Sequence, residues 1–482
     1  MNVPVNFSAI APEIVLIVVA CVLLAGGVFL PQRLAERLTP ILAAGGLLAA
    51  LVVAAAQYQH AAHWSFDHTL RIDAFGQATR LIVFGSGLLA VCVSWGSSGG
   101  IKQRAVEFNA LLLTACAGMS LLAVANSFVT LFVALELFSI ALYVLVAIDI
   151  DSEPSLEGGL KYLIVGSVGA AFILYGAALV YGATGQLEFD RIAAAGGDRH
   201  GVLLLAGIAF VIVGLGFKAN AAPFHMWTPD AYEGAPTPVT TFMSAATKAV
   251  ALIVTVRVLS VAFPGQSDVW ETGVAAVAVV SFVWGNLAAL RQTNVKRMLG
   301  YSTVGHTGFL LTAVAANSNL GARALLYYLT VYATMNIGAF AVVAIREREL
   351  GRPVEIADFA GWGYRRPLLS ISMLLFMLSL AGFPPTGGFI GKLYIFSAAV
   401  QNGQTYLAAA GVAATLVGLG YYLKIPFALF DRDAELPAAV PSPGLRLASF
   451  ATGISAAAVL FLGIVPTPLI DLARTASGSL FG

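Results

Sequence analysis

Long apolar runs alternate with short polar connections along the whole chain. A helix needs roughly 20 apolar residues to cross a bilayer, and runs of that order recur about 14 times. They lie near 8–30, 37–57, 74–95, 107–125, 128–149, 159–182, 202–231, 238–262, 270–290, 298–315, 321–345, 368–400, 405–430 and 445–465. Their length predicts helices, because strands are much shorter. Two runs are interrupted. The seventh contains Pro223 and Pro229, and the twelfth contains Pro384 and Pro385 followed by Gly387 and Gly388. Both predict broken helices, since an interior proline removes a backbone donor and clashes with the preceding turn. Nothing reads as a soluble domain, a linker or a low-complexity tract, so the pattern predicts a single all-α polytopic membrane bundle of about 14 transmembrane helices.

Charge in the connections sets an orientation. With the N-terminus numbered as outside, the inner connections hold Arg33, Arg37, Lys102, Arg104, Lys161, Arg291, Lys296, Arg297, Arg346, Arg348, Arg352, Arg365, Arg366, Arg432 and Arg446. The outer ones hold Arg71, Arg191, Arg199, Arg323 and Arg474. Excess Lys and Arg marks the cytoplasmic side, so both termini are expected on the outer, periplasmic face. The two broken runs lie five spans apart and so cross in opposite directions. That suggests inverted repeats over spans 4–8 and 9–13, with an ion path at their interface. The copy is imperfect, because Lys218 precedes its proline break whereas Lys392 follows its own. The expected division is three helices over 1–106, a first five-helix repeat over 107–262, a second over 263–430, and a last helix with its tail over 431–482.

Composition supports the membrane reading. Of 482 residues, 59% are hydrophobic and 11% charged, where a soluble domain carries roughly 25% charged residues. So little charge cannot cover a folded surface of this size, so lipid must face it. The 26 Lys and Arg nearly balance 25 Asp and Glu for a net charge of +1, which leaves no basic face for nucleic acid. Cys21, Cys92 and Cys116 stand alone in apolar runs, with no C-x-x-C pair and no nearby His. They are read as packing or lipid-facing residues and not as zinc or iron–sulfur ligands. The first run has no Lys or Arg before it and is longer than a signal-peptide core, so it is expected to remain as a span.

Within the spans, a charge at mid-bilayer costs at least about 2.5 to 3.5 kcal/mol and must be paired, hydrated or used. Glu136, in LFVALELFSIALYVLV, shares a helix face with Ser139 and Tyr143, a polar stripe expected to face protein. Lys218, in IVGLGFKANAAPFHMW, lies just before a proline that frees backbone carbonyls, and it forms a natural pair with Glu136 whose association and separation would gate a proton step. Lys248, in PVTTFMSAATKAVALIV, has Ser244 and Thr241 on its own face, while Lys392 follows FPPTGGFIG on the second broken helix. His306, in YSTVGHTGFLL, and His225, in PFHMW, are candidate relay groups because imidazole both accepts and donates protons. Tyr301, Tyr328 and Asn336 are weaker candidates. Plainer roles stand beside each: packing for Glu136, half-helix capping for Lys218 and Lys392, snorkelling for Lys248, core hydrogen bonding for the histidines. Arg80, Arg257, Glu13 and Lys424 lie nearer span ends, where snorkelling is expected.

The string FKANAAPFHMWTPDAYEGAPTPVTTFMSAATKAV resembles the most recognisable stretch of the antiporter-like subunits of respiratory complex I. ALELFSIALYVLVA, EPSLEGGLKYLIVGS, NVKRMLGYSTVGHTGFLL and LAGFPPTGGFIGKLYIF extend the resemblance over about 107–430. PDAYEGAPTP and the lysine at 392 are similar to the subunit N branch; subunit M generally has a glutamate at the latter position. No lateral amphipathic helix of the subunit L kind is expected after the last span. The resemblance implies a proton-translocating, non-redox membrane-arm subunit of an NADH-quinone oxidoreductase in a bacterial inner membrane. It also implies that FMN, iron–sulfur clusters and quinone belong to other subunits, and that the partners are an antiporter-like M subunit and small membrane subunits such as K. Carried over by position, the family's fifth-span glutamate falls on Glu136, its broken-helix lysine on Lys218, its central lysine on Lys248 and its twelfth-span lysine on Lys392. His306 and His225 match polar positions of the family. A subunit of a multi-subunit cation/proton antiporter, which shares these lysines, is the alternative; a self-contained permease and a structural scaffold are further ones.

Overall fold

A computed structural model of the chain describes residues 6–58, 61–97, 99–195, 201–432 and 445–481. Among them, 11 helices are long and apolar enough to cross a membrane. The apolar runs take this form because, in lipid, every backbone group must find its partner within the segment. Val202–Lys218 and Pro367–Ala381 are shorter apolar helices, and the 21-residue helix Val295–Ala315 carries Lys296 and Arg297 in its first turn. Outer helices expose apolar side chains such as Val22, Val52, Ile164 and Leu416. By contrast, Thr237–Ala262 and Asn319–Leu350 bury 89% of their most apolar windows and form the centre of the bundle. Arg199, one of the residues assigned to the outer connections, lies outside the described residues.

Segments near the two ends of the described chain meet at one end of the bundle. There Gln57 donates to the Ser8 carbonyl at 2.6 Å, Tyr58 to that of Leu472 at 3.0 Å and Arg71 to that of Ser479 at 2.6 Å. The expected tail contains a further helix, Thr467–Phe481, which buries Ala473, Ala476, Ser477 and Leu480. Its burial relies on small residues at helical spacing instead of a long apolar run, so it leaves no span-length signal. A two-stranded hairpin, His63–Ser65 with Leu70–Ile72, lies nearby.

Both runs are broken as expected, although Pro229 lies in the first turn of Trp227–Gly234 and not at the break. Val202–Lys218 stops before Asn220, whose φ is +61°, and a cis Ala222-Pro223 bond precedes Trp227–Gly234. Pro367–Ala381 ends on the left-handed Gly382, and a cis Pro384-Pro385 bond precedes Gly387–Gln401. Gly388 is required there: a Cβ on it would stand 2.0 Å from the Ser379 carbonyl oxygen. The span expected over 238–262 is not a regular rod, since π-helical turns occupy Met243–Thr247 and Val258–Ala262. The span expected over 405–430 divides into Thr405–Tyr422 and Lys424–Leu429.

Two further pairs of features match between the halves. Phe128–Val146 begins at Ser127, which bridges Glu188, and Val295–Ala315 begins at Asn294, which bridges Glu355. The side chain of Ser127 or Asn294 caps its own helix in each case, satisfying an otherwise orphaned amide. Each is followed by a 32-residue helix, Glu153–Thr184 or Asn319–Leu350, that ends on a left-handed glycine, Gly185 or Gly351.

Candidate functional site

The first break frees backbone groups that side chains from other helices satisfy. Trp227 Nε1 donates to the Phe217 carbonyl at 3.1 Å, Thr307 Oγ1 to that of Ala219 at 2.8 Å, and the Ala222 amide to Ser281 Oγ at 2.9 Å. This is how a broken helix persists at membrane depth. The break holds Lys218 in place, 5% exposed. Its ammonium donates to Ser139 Oγ at 2.9 Å and Tyr143 OH at 3.2 Å, the two hydroxyls of the stripe read from the sequence. Tyr143 is locked in turn by an edge contact on Tyr162, which stacks on Trp227.

Glu136 and Lys218 stand in the separated state. No ion pair joins them; Ser139 and Tyr143 take the ammonium first. The carboxylate is only half-buried, and its buried Oε1 has no hydrogen-bond partner. Along the same side of Phe128–Val146, Val129, Val133, Ile140 and Val144 are exposed, so Glu136 stands at the surface of this chain between apolar side chains.

Lys248 is fully buried immediately after the π turn. Its ammonium donates to the Thr303 carbonyl and to Thr307 Oγ1, both at 2.5 Å, and lies 5.5 Å over the Tyr332 ring. Thr307 thereby joins Lys248 to Ala219, the residue after Lys218. On the far side, Thr303 Oγ1 and Tyr332 OH are 2.9 Å apart, and the His306 ring packs against Tyr332 at 5.0 Å. Both imidazole nitrogens of His306 are engaged, Nδ1 by Tyr328 OH at 2.7 Å and Nε2 by Tyr422 OH at 2.8 Å. Tyr422 also meets Ser302 at 2.5 Å.

Lys392 closes the row. It donates to the Leu380 and Ala381 carbonyls at 2.9 and 3.1 Å, and Thr415 Oγ1 lies at 3.5 Å. It therefore caps the half-helix before its break, and its ammonium lies 4.6 Å over the Phe309 ring. His306 and Lys392 line one crevice with Asn286, Phe309 and Tyr421, but the crevice has no room for a water. His225 stands apart: it packs against Trp284 and Tyr301, with no hydrogen bond to the row among the described residues. Asn336 donates to the Tyr332 carbonyl at 3.0 Å.

The row thus brings together Lys218, Lys248 and His306, with Lys392 beyond a dry crevice and Glu136 at the outer surface. Thr303, Thr307, Tyr332, Tyr422 and Thr415 complete it and carry no charge to mark them in a sequence. Arg80, Arg257 and Glu13 do not snorkel. Arg257 pairs with Asp73 and Arg80 with Glu13 inside the bundle, and Lys424 donates to the Leu290 carbonyl at 2.5 Å.

A family model described as NADH:quinone oxidoreductase/Mrp antiporter, TM, matches residues 125–418. NADH-quinone oxidoreductase subunit N of Parvibaculum lavamentivorans is 38% identical over 480 residues, covering 98% of each chain. A chain of respiratory complex I from Thermus thermophilus, solved with bound aureothin, superposes with a TM-score of 0.82 at 34% identity. The match covers 96% of this chain and 99% of that one. A chain of the Mrp complex from Dietzia sp. DQ12-45-1b reaches a TM-score of 0.84 at 22% identity over 98% of both chains, a likeness of fold.

Proposed function

Since this chain belongs to the NADH:quinone oxidoreductase/Mrp antiporter family and, within it, to the subunit N group, we propose that it carries protons across the membrane arm of an NADH-quinone oxidoreductase. The proposed path is the row Glu136, Lys218, Lys248, His306 and Lys392, with His225 as a lesser relay candidate. A change of charge in a neighbouring subunit during quinone reduction acts on Glu136 and passes inward from residue to residue. A proton enters from the cytoplasmic side toward Lys248 and leaves on the outer side through Lys392. FMN, iron–sulfur clusters and quinone belong to other subunits in this reading, and M and K subunits flank the chain.

The observation that carries the reading is the unpaired state of the buried lysines. Among the described residues, no carboxylate lies within ion-pair distance of Lys218, Lys248 or Lys392, so no fixed counter-ion holds their charge. Two unit charges about 10 Å apart at an effective dielectric near 20 interact by roughly 1.7 kcal/mol, more than a tenfold change in occupancy. Neighbours along the row therefore sense one another. Passage from His306 to Lys392 requires the dry crevice between them to open and admit water.

The same reading takes the chain across the membrane fourteen times, with both termini outside because Lys and Arg concentrate at the opposite end. It divides the chain at 106, 262 and 430, with 107–262 and 263–430 as inverted repeats. The paired bridges at Ser127 and Asn294 and the two proline breaks support that division. The test is Lys248→Ala in membranes bearing the assembled complex. Quinone-coupled pumping is expected to fall while the complex still assembles; pumping at the parental level would overturn the reading.

A further inference from the structure

We propose that Glu347, at the basic end of Asn319–Leu350, collects protons for Lys248. The proposal rests on the translocation reading above and adds the group at which protons enter.

A cavity of about 510 Å³ opens at this end of the bundle. Glu347 and Thr237 line it together with the charged residues Lys102, Asp149, Glu233, Lys296, Arg348 and Arg352. So many charges make it an aqueous space. Glu347 turns away from open solvent, however. Its Oε2 accepts the hydroxyl of Thr237, and Thr237 is 3% exposed. Its Oε1 is buried without a hydrogen-bond partner and stands 3.4 Å from Lys296 Nζ. Lys296, itself buried, donates to the Ala235 carbonyl at 2.9 Å. Arg348 donates to the Val93 and Trp95 carbonyls and to Ser97. One carboxylate oxygen is thus fixed on Thr237, while the other, buried beside Lys296, keeps lone pairs for a proton once water from the cavity reaches it.

Thr237 begins the helical stretch that carries Lys248. Thr241, Ser244 and Lys248 follow at i+4, i+7 and i+11, on one face. The hydroxyls of Thr241 and Ser244 donate to the Thr237 and Thr241 carbonyls at 2.7 and 3.0 Å, which leaves their oxygens free to accept. At 1.5 Å per residue the stripe spans about 16 Å, and its inner end is the π turn Met243–Thr247. In the proposed step a hydronium in the cavity protonates Oε1. The neutral carboxyl group then turns, presents that proton to water on the Thr237 side, releases it and returns to carboxylate. Only a proton moves, and Lys296 stays charged throughout.

A carboxylate that merely ties two helices together through Thr237 gives a loss that does not depend on pH. A collecting group matters most where hydronium is scarce. In membranes bearing the assembled complex, Glu347→Gln is therefore expected to slow quinone-coupled pumping on the order of tenfold at alkaline pH, and far less at acidic pH. An equal loss at every pH, or no loss, would overturn the proposal. If Glu347→Gln does not assemble, Thr237→Val cuts the path on the Lys248 side and is expected to give the same alkaline-selective loss, with a pH-independent result again overturning it. Lys248→Ala in the same membranes separates the two readings. Parental pumping in that variant overturns translocation through the row, whereas loss there with parental pumping in Glu347→Gln overturns the collecting role alone.

Discussion

Two groups of buried charges lie a few helices apart and are held in opposite ways. At the terminus-bearing end, Arg257 grips Asp73 with two hydrogen bonds of 2.9 and 2.7 Å, and Arg80 meets Glu13 at 2.6 Å. Both arginines are fully buried, Asp73 is 2% exposed, and Glu13 also accepts from Ser120 at 2.5 Å. In the central row, Lys218, Lys248 and Lys392 donate their hydrogen bonds to hydroxyls and carbonyls. A buried ion pair fixes geometry, because removing either partner strands the other charge in a low dielectric. A lysine held by neutral oxygens strands nothing when it gives up its proton. The first arrangement ties Thr237–Ala262 to Ala74–Ser94, and the second leaves charge free to change on that same span.

The sharpest way to break this contrast is to cut one member of each group. Asp73→Ala is expected to cost about 3–5 kcal/mol, read as a lower unfolding temperature or loss of the assembled chain. Lys248→Met, which removes a charge and leaves no stranded partner, is expected to keep assembly and lose pumping. If the two variants exchanged these outcomes, the contrast would fail. Glu13→Gln leaves Arg80 without its counter-charge but keeps a hydrogen-bonding group, so a loss of about 1.5–3 kcal/mol is expected from the same melt.

Tyr422→Phe removes the hydroxyl shared by His306 and Ser302. A stability loss of about 1 kcal/mol is expected, with pumping lowered but not abolished; abolition would make Tyr422 part of the path itself. The smallest effect belongs to an exposed arginine and its half-buried carboxylate at the basic end. Burial raises the Asp358 carboxyl, but hydrogen bonds from Arg352 and the Glu355 amide outweigh it and hold it below the usual carboxylate range. A depressed carboxyl adds stability above its unfolded value and loses it as pH falls through the folded one. Arg352→Ala is therefore expected to weaken the protein slightly at neutral pH and to flatten its loss in acid, measured by pH-dependent thermal melts.

The frame was largely legible in the sequence, because span-length apolar runs and interior prolines act locally. The breaks at Pro223 and Pro384 fall where their chemistry places them. Lys218, Lys248 and Lys392 were legible for the same reason, since a charge inside an apolar run stands out. What hid was tertiary. Thr303 and Thr307 look like ordinary helix-face hydroxyls until Lys248 meets them. Glu136 and Lys218 look like a natural pair, yet Ser139 and Tyr143 on the same stripe reach the ammonium and leave Glu136 at the surface. The π turn before Lys248 has no proline to announce it. Arg257 and Arg80 lie near span ends in the sequence, and only the fold brings Asp73 and Glu13 to them. Position along a span does not tell a snorkelling arginine from a paired one.

The most direct test of translocation through unpaired lysines is the number of protons moved per quinone reduced, measured in membranes with the assembled complex carrying Lys248→Met. The expected result is normal assembly with fewer protons moved per quinone. Assembly and a proton yield both equal to the parent's would contradict it.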